Sequence, residues 1–130
     1  MFEKTTNGVR IIVRPEYRAD QSDPDQGYYV WAYHVTIRNE GRQAVTLKTR
    51  HWRVTDGRGR VQEVRGAGVV GEQPRLEPGE SFEYTSGTPL STPGGFMTGA
   101  YQMQLDDGSM MEVEIPLFSL DLPERRRRVH

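Results

Sequence analysis

Tyr28-Tyr29-Val30-Trp31-Ala32-Tyr33-His34-Val35-Thr36-Ile37-Arg38 is the stretch that decides the fold. Tyr29, Trp31, Tyr33, Val35 and Ile37 fall at every second position, with Tyr28, Val30, Ala32, His34, Thr36 and Arg38 between them. Successive side chains of an extended chain point to opposite faces. The odd set therefore belongs to a core and the even set to a more exposed surface. Aromatic and β-branched residues suit such a pleated, half-buried face. A strand is predicted over 28–38.

The same period of two continues on either side, and no segment carries an apolar stripe of helical period. Upstream, a strand is expected over 8–14, stopping at Pro15, with a polar loop over 19–27. Downstream, Asn39-Glu40-Gly41 turns the chain into a strand over 44–55. In that strand Val45 and Leu47 point one way, while Trp52 and Val54 continue at even positions. Such a slip of phase predicts a bulge or bend near Thr49-Arg50-His51. Asp56-Gly57-Arg58-Gly59 signals a turn into a strand over 61–65. Pro78-Gly79 stands in the order of a type II turn before a strand over 81–85, and a loop of small residues and proline follows over 86–95. A last hairpin pairs 96–105 with 110–118 across Asp106-Asp107-Gly108-Ser109. Tyr101, Met103 and Leu105 face one side there, as do Met111, Val113, Ile115 and Leu117. About seven strands with frequent turns predict an all-β fold, an antiparallel β-sandwich of immunoglobulin-like or fibronectin type III-like kind.

Composition narrows the chemistry. The 130 residues include no cysteine, which excludes disulfides, thiolate metal sites and cysteine nucleophiles and suits a reducing compartment. Residues 1–14 carry no signal-peptide pattern, and no apolar run approaches the about 18 residues of a membrane span. A cytoplasmic protein with no membrane association is expected. Lys and Arg number 17 against 18 Asp and Glu, so charge balance points to no specific nucleic-acid partner. Arg125, Arg126, Arg127 and Arg128 form a basic C-terminal run without apolar periodicity. A single domain over 1–120 with a basic, disordered tail over 121–130 is the expected organisation.

Gly66-Ala67-Gly68-Val69-Val70-Gly71 has the G-x-G-x-x-G spacing with which backbone amides close around a pyrophosphate. That chemistry needs a helix N-terminus after the last glycine. Pro74 and Pro78-Gly79 follow too closely for a helix of useful length. Two readings stay open. Successive amides can form an anion nest without a helix, making Gly66, Gly68 and Gly71 with Arg65 and Arg75 a candidate anion-binding loop, with Arg50 as a further source of charge. Alternatively the glycines permit positive φ or a tight crossing, and Val69 and Val70 plug the core.

The wording of several segments resembles one family. They are Thr36-Ile37-Arg38-Asn39-Glu40-Gly41, Arg50-His51-Trp52, the run from Glu63-Val64-Arg65 through the glycine motif to Glu72-Gln73-Pro74, and Leu76-Glu77-Pro78-Gly79-Glu80-Ser81-Phe82-Glu83-Tyr84-Thr85-Ser86-Gly87. Gly95-Phe96-Met97-Thr98-Gly99-Ala100-Tyr101-Gln102-Met103 and Val113-Glu114-Ile115-Pro116-Leu117-Phe118 complete the set. In this order, over 9–118, they resemble the ApaG family, also called CorD. The resemblance implies a fibronectin type III-like sandwich in a bacterial cytoplasm, often encoded beside a diadenosine tetraphosphate hydrolase. It also implies an association with cobalt tolerance and magnesium efflux. Eukaryotic relatives occur as domains of F-box and polymerase-interacting proteins, which implies a protein-interaction module. The family has no established catalytic residues to carry over.

Among the remaining residues, no Ser/His/Asp arrangement or functional carboxylate pair forms a catalytic site, so a non-enzymatic protein without a cofactor is expected. His34 and His51 are the candidate ligands for a divalent metal if the sheets bring them together, but their spacing assigns no metal site. The leading expectation is a regulatory or adaptor domain for a protein partner. Its candidate contact surface comprises Arg50, His51, Glu72, Gln73, Pro93 and Gly94, on the loops 66–74 and 86–95 and the neighbouring strand. A weak phosphate or nucleotide sensor using the glycine loop is the alternative, and divalent-metal binding ranks below it.

Overall fold

The computed structural model describes residues 1–122, so the arginine run lies outside the described residues. Nine strands are formed there: β1 (Phe2–Thr6), β2 (Val9–Tyr17), β3 (Tyr29–Asn39), β4 (Val45–Asp56), β5 (Val61–Ala67), β6 (Arg75–Leu76), β7 (Ser81–Leu90), β8 (Gly95–Leu105) and β9 (Met110–Leu120). One antiparallel sheet has the order β1-β2-β3-β7, the other β5-β4-β8-β9 with β6 pairing β4. The two sheets form a β-sandwich. Seven strands correspond to the expected ones. The additional two are β1, whose middle residues are all exposed, and β6, too short to show a period.

The inner face follows the alternation of β3. Trp31, Tyr33, Val35 and Ile37 are buried, together with Val9, Ile11 and Val13 of β2. Across from them, Trp52 stands between Tyr33, with ring centroids 5.0 Å apart, and Phe118 and Tyr101, met edge-on at 6.0 Å and 6.4 Å. Edge-to-face contacts add about 0.5–1.5 kcal/mol each to the burial of such rings. Asn39 is buried where the chain crosses between sheets. Its amide donates to the carbonyls of Gln43 at 2.8 Å and Leu76 at 3.0 Å, and its Oδ1 accepts from the Gly41 amide at 3.0 Å. A buried polar side chain is tolerated when its bonds are made, and here they fix the crossover.

Three expectations need correction. Strand β2 runs through Pro15 to Tyr17, because beyond the Phe2–Val13 pair it has one neighbour and a missing N–H costs nothing on the open side. Residues 86–90 are strand, not loop. There β7 pairs with β3 alone, and its open edge accommodates Pro89. In β9, Met97 pairs Phe118 while Gly99 pairs Ile115, so β9 carries an extra residue around Pro116-Leu117. The bulge reverses the phase: Leu117 is 60% exposed, while Phe118 and Leu120 are buried. Leu122 is buried too.

The slip of phase in β4 is present. Leu47 pairs Met103 and Thr49 pairs Gln102, leaving Lys48 as the bulged residue. Val45 and Leu47 face inward before it, and Trp52 and Val54 after it.

Phe118→Ala should lower the unfolding free energy by about 3–5 kcal/mol, and Leu117→Ala should change it by less than about 0.5 kcal/mol. Urea denaturation of both variants measures this. The reverse order would mean that the β9 bulge is absent.

Candidate functional site

After the bulge, even positions of β4 face inward, so Arg50 points into the end of the sandwich instead of toward solvent. Its neighbours across the ladders are Gly66 of β5 and Tyr101 of β8. A Cβ on Gly66 would lie 2.8 Å from Arg50 Nη1, so a larger residue there would make the guanidinium shift. Arg50 Nη1 donates to the carbonyls of Ala67 at 3.0 Å and Gly68 at 2.9 Å. Among the described residues no carboxylate pairs with it within salt-bridge distance. Three phenols lie close enough to feel its charge. Burial pushes the Tyr33, Tyr84 and Tyr101 hydroxyls up from their ordinary value, and the Arg50 charge works against that rise. The Tyr84 and Tyr101 hydroxyls share a buried hydrogen bond of 2.5 Å, linking the two sheets.

The glycine motif closes into a two-residue hairpin above Arg50. Val69 and Glu72 exchange both backbone bonds, Val69 N–H to Glu72 O at 2.8 Å and Glu72 N–H to Val69 O at 2.9 Å. Val70 and Gly71 at the tip have φ of 44° and 81°, the left-handed pair of a type I′ turn. Gly68 is left-handed as well, and a Cβ there would fall 2.3 Å from the Glu72 carbonyl oxygen. The bulged Lys48 anchors the base. Its carbonyl accepts the Gly68 amide at 2.9 Å and Gln73 Nε2 at 2.9 Å.

This geometry separates most of the candidate residues. The Gly68, Val69 and Glu72 amides donate within the protein and the Ala67 and Gly68 carbonyls face Arg50, so these groups form no open nest. Arg75 turns away toward the β8–β9 turn, held by Asp106 and Glu77 at 2.5 Å each, and these carboxylates raise its already high pKa. Arg65 stands on the outer face of β5, 3.8 Å from Glu63. Gly66, Gly68 and Gly71 are thus joined by neither Arg65 nor Arg75 around a common point. Val69 is buried as the core-plug reading requires, but Val70 is 56% exposed and plugs nothing.

The expected contact surface is also divided. Glu72 and Gln73 lie beside Lys48, whereas Pro93 and Gly94 lie beside Gly57, whose amide is held by Thr92 Oγ1 at 2.8 Å. The span of β4 from Lys48 to its far end at Asp56 separates these two loops by about 25 Å at 3.3 Å per residue. Arg50 faces inward and His51 outward, so neither belongs with both loops. His51 Nε2 meets Glu63 Oε1 at 2.9 Å on the outer face of one sheet. His34 meets Glu16 at 2.8 Å and Thr85 at 2.8 Å on the other. Hydrogen bonds from these histidines are the first cause holding Glu63 and Glu16 below the ordinary carboxylate range. Two histidines on opposite faces of a sandwich cannot share an ion. Among the described residues no group of three or more His, Cys, Asp or Glu is placed to hold a metal.

Val70 was not singled out as exposed by the pattern of the sequence. A β-branched residue in the left-handed region is a genuine outlier, costing about 1–2 kcal/mol. The available signal was Val70-Gly71 at the position where Asn-Gly would be favoured.

Comparison with known proteins converges on one family. The family profile described as the ApaG domain matches residues 19–105. Protein ApaG of Rhodospirillum centenum is 62% identical over 128 residues, covering 98% of this chain and 98% of that protein. Protein ApaG of Parvibaculum lavamentivorans is 57% identical over 130 residues, the whole of both chains. A crystal structure from Bordetella pertussis, named for an ApaA protein, superposes with a TM-score of 0.87 at 49% identity, covering 95% of this chain and 98% of that one.

Val70→Asn should raise the unfolding free energy by about 1 kcal/mol, or about 3–5 °C in melting temperature, because Asn tolerates the left-handed backbone. Differential scanning calorimetry checks it. An unchanged or lower melting temperature would remove the strain at the tip.

Proposed function

The chain belongs to the ApaG family, and on that footing we propose that it is a non-enzymatic, cytoplasmic interaction module that presents the Val69–Glu72 tip to a protein partner. The observation that carries this reading is Val70, strained and 56% exposed at the end of a hairpin anchored through Gly68 and Arg50. Strain of this size persists only where the surroundings over-determine it, and it concentrates at functional sites. A rigid apolar knob loses little entropy on binding. Glu72 and Gln73 flank the knob with polar groups, the usual rim of a contact patch.

Such a module acts by occupying its partner. The cobalt tolerance and magnesium efflux implied by the family are then effects on a bound transport or regulatory protein, and the domain itself holds no ion. The Gly68, Val69 and Glu72 amides already donate within the protein, which favours this reading over phosphate sensing.

The test places a photo-crosslinking phenylalanine at Glu72 in cells, with a control at Leu117 on the outer face of β9. A discrete adduct is expected from position 72, absent at 117 and reduced at least about tenfold by Val70→Asn, a loss of about 1.4 kcal/mol or more in affinity. Identical adducts from both positions, or an adduct indifferent to Val70→Asn, would overturn the proposal.

A further inference from the structure

The edge strand β5 carries a second, independent signal. It pairs with β4 on one side only, and most of its residues are exposed, Val61 at 49% and Val64 at 38%. The direction of its backbone groups follows from two hydrogen bonds. The Asp56 amide donates to the Arg60 carbonyl at 3.0 Å, and the Gly68 amide donates to the Lys48 carbonyl at 2.9 Å. Both belong to the register that pairs Thr55 with Val61. In an antiparallel ladder alternate residues turn both N–H and C=O to the same neighbour. Residues 60, 62, 64, 66 and 68 therefore face β4, and Val61, Glu63 and Arg65 present their amides and carbonyls to the open edge, as Ala67 presents its amide, its carbonyl being held by Arg50 Nη1 at 3.0 Å. An open row of this kind is a template for another strand.

From this edge we infer that β5 pairs antiparallel with β5 of a second copy, about a two-fold axis at Val64. In that register Glu63 lies opposite the other copy's Arg65, and the same pair recurs across the axis. Val61 lies opposite Ala67, Gln62 opposite Gly66, and Val64 opposite Val64. The outward residues meet as hydrogen-bonded pairs: Glu63 and Arg65 exchange both bonds twice across the axis, and at each end Val61 would share the Ala67 carbonyl with Arg50. Directly opposed unlike charges favour a strand pair and like charges oppose it. Sliding the register by two residues in either direction puts Glu63 against Glu63 or Arg65 against Arg65. The axis at Val64 is thus the in-phase register that matches both charge and length. An isologous contact of this type closes after two copies.

One strand pair is a small interface, so the dimer belongs to the transient class. Sedimentation velocity from about 10 µM to about 1 mM reads the association. Wild type should shift toward dimer across that range, Glu63→Arg should remain monomeric, and the double swap Glu63→Arg with Arg65→Glu should dimerise again. Circular dichroism confirms that each variant is folded. The chain has no cysteine, so Val64→Cys gives one thiol that meets its own copy across a non-hydrogen-bonded pair about 4.5 Å apart at Cα. It should oxidise to a covalent dimer at least about tenfold faster than Gln62→Cys, whose mate is Gly66. A wild type that stays monomeric, a Glu63→Arg variant that associates as wild type does, or equal oxidation rates for the two thiols would overturn the inference. Val70 takes no part in the strand pair, so this outcome and that of the crosslinking test are independent.

Discussion

One extra residue in β4 sets the interior of this sandwich. Before Lys48 the odd residues of the strand face inward; after it the even ones do. The change sends Trp52 into the aromatic cluster with Tyr33, Tyr101 and Phe118, and it sends Arg50 into the end of the sandwich. The guanidinium then lies against Gly66, and its donors find acceptors in the Ala67 and Gly68 carbonyls. The bulged residue's own carbonyl completes the anchor by taking the Gly68 amide and the Gln73 side chain. A motif that resembles a nucleotide fingerprint in spacing is here the lid over a bulge.

Much of the fold was legible from alternation. The odd face of β3, the change of phase in β4 and the Pro78-Gly79 turn, where Gly79 has φ of 89° and the Glu80 amide reaches the Glu77 carbonyl, follow from residue order alone. What escaped depends on neighbours. Pro15 read as a strand end and Pro89 as part of a loop, yet both lie where one side of the strand is open, and openness is a property of the sheet. Leu117 read as core because the period was carried straight through Pro116, where the bulge interrupts it.

The candidate site was legible in its parts but not in its assembly. The even-position pattern that placed Trp52 inward applied equally to Arg50, and its charge made a surface location look natural. Arg75 looked available to the glycine loop until the β8–β9 turn brought Asp106 to it. Glu72 and Pro93 looked like one surface because both lie on loops, but the length of β4 separates them. Two exposed features remain: a strained tip, and an edge strand whose residues complement themselves. They differ in physics, since one presents a side chain and the other a backbone.

The distinction between a rigid lid and an open anion nest rests on where the loop amides point. Amide hydrogen exchange, read residue by residue by NMR, measures this directly. The expected result is protection of Gly68, Val69 and Glu72 by at least about a thousandfold, equivalent to about 4 kcal/mol of opening energy. Val70 and Gly71 at the tip should exchange nearly freely. Uniformly fast exchange across 66–73 would contradict the anchored hairpin and return the glycines to the role of an open anion loop.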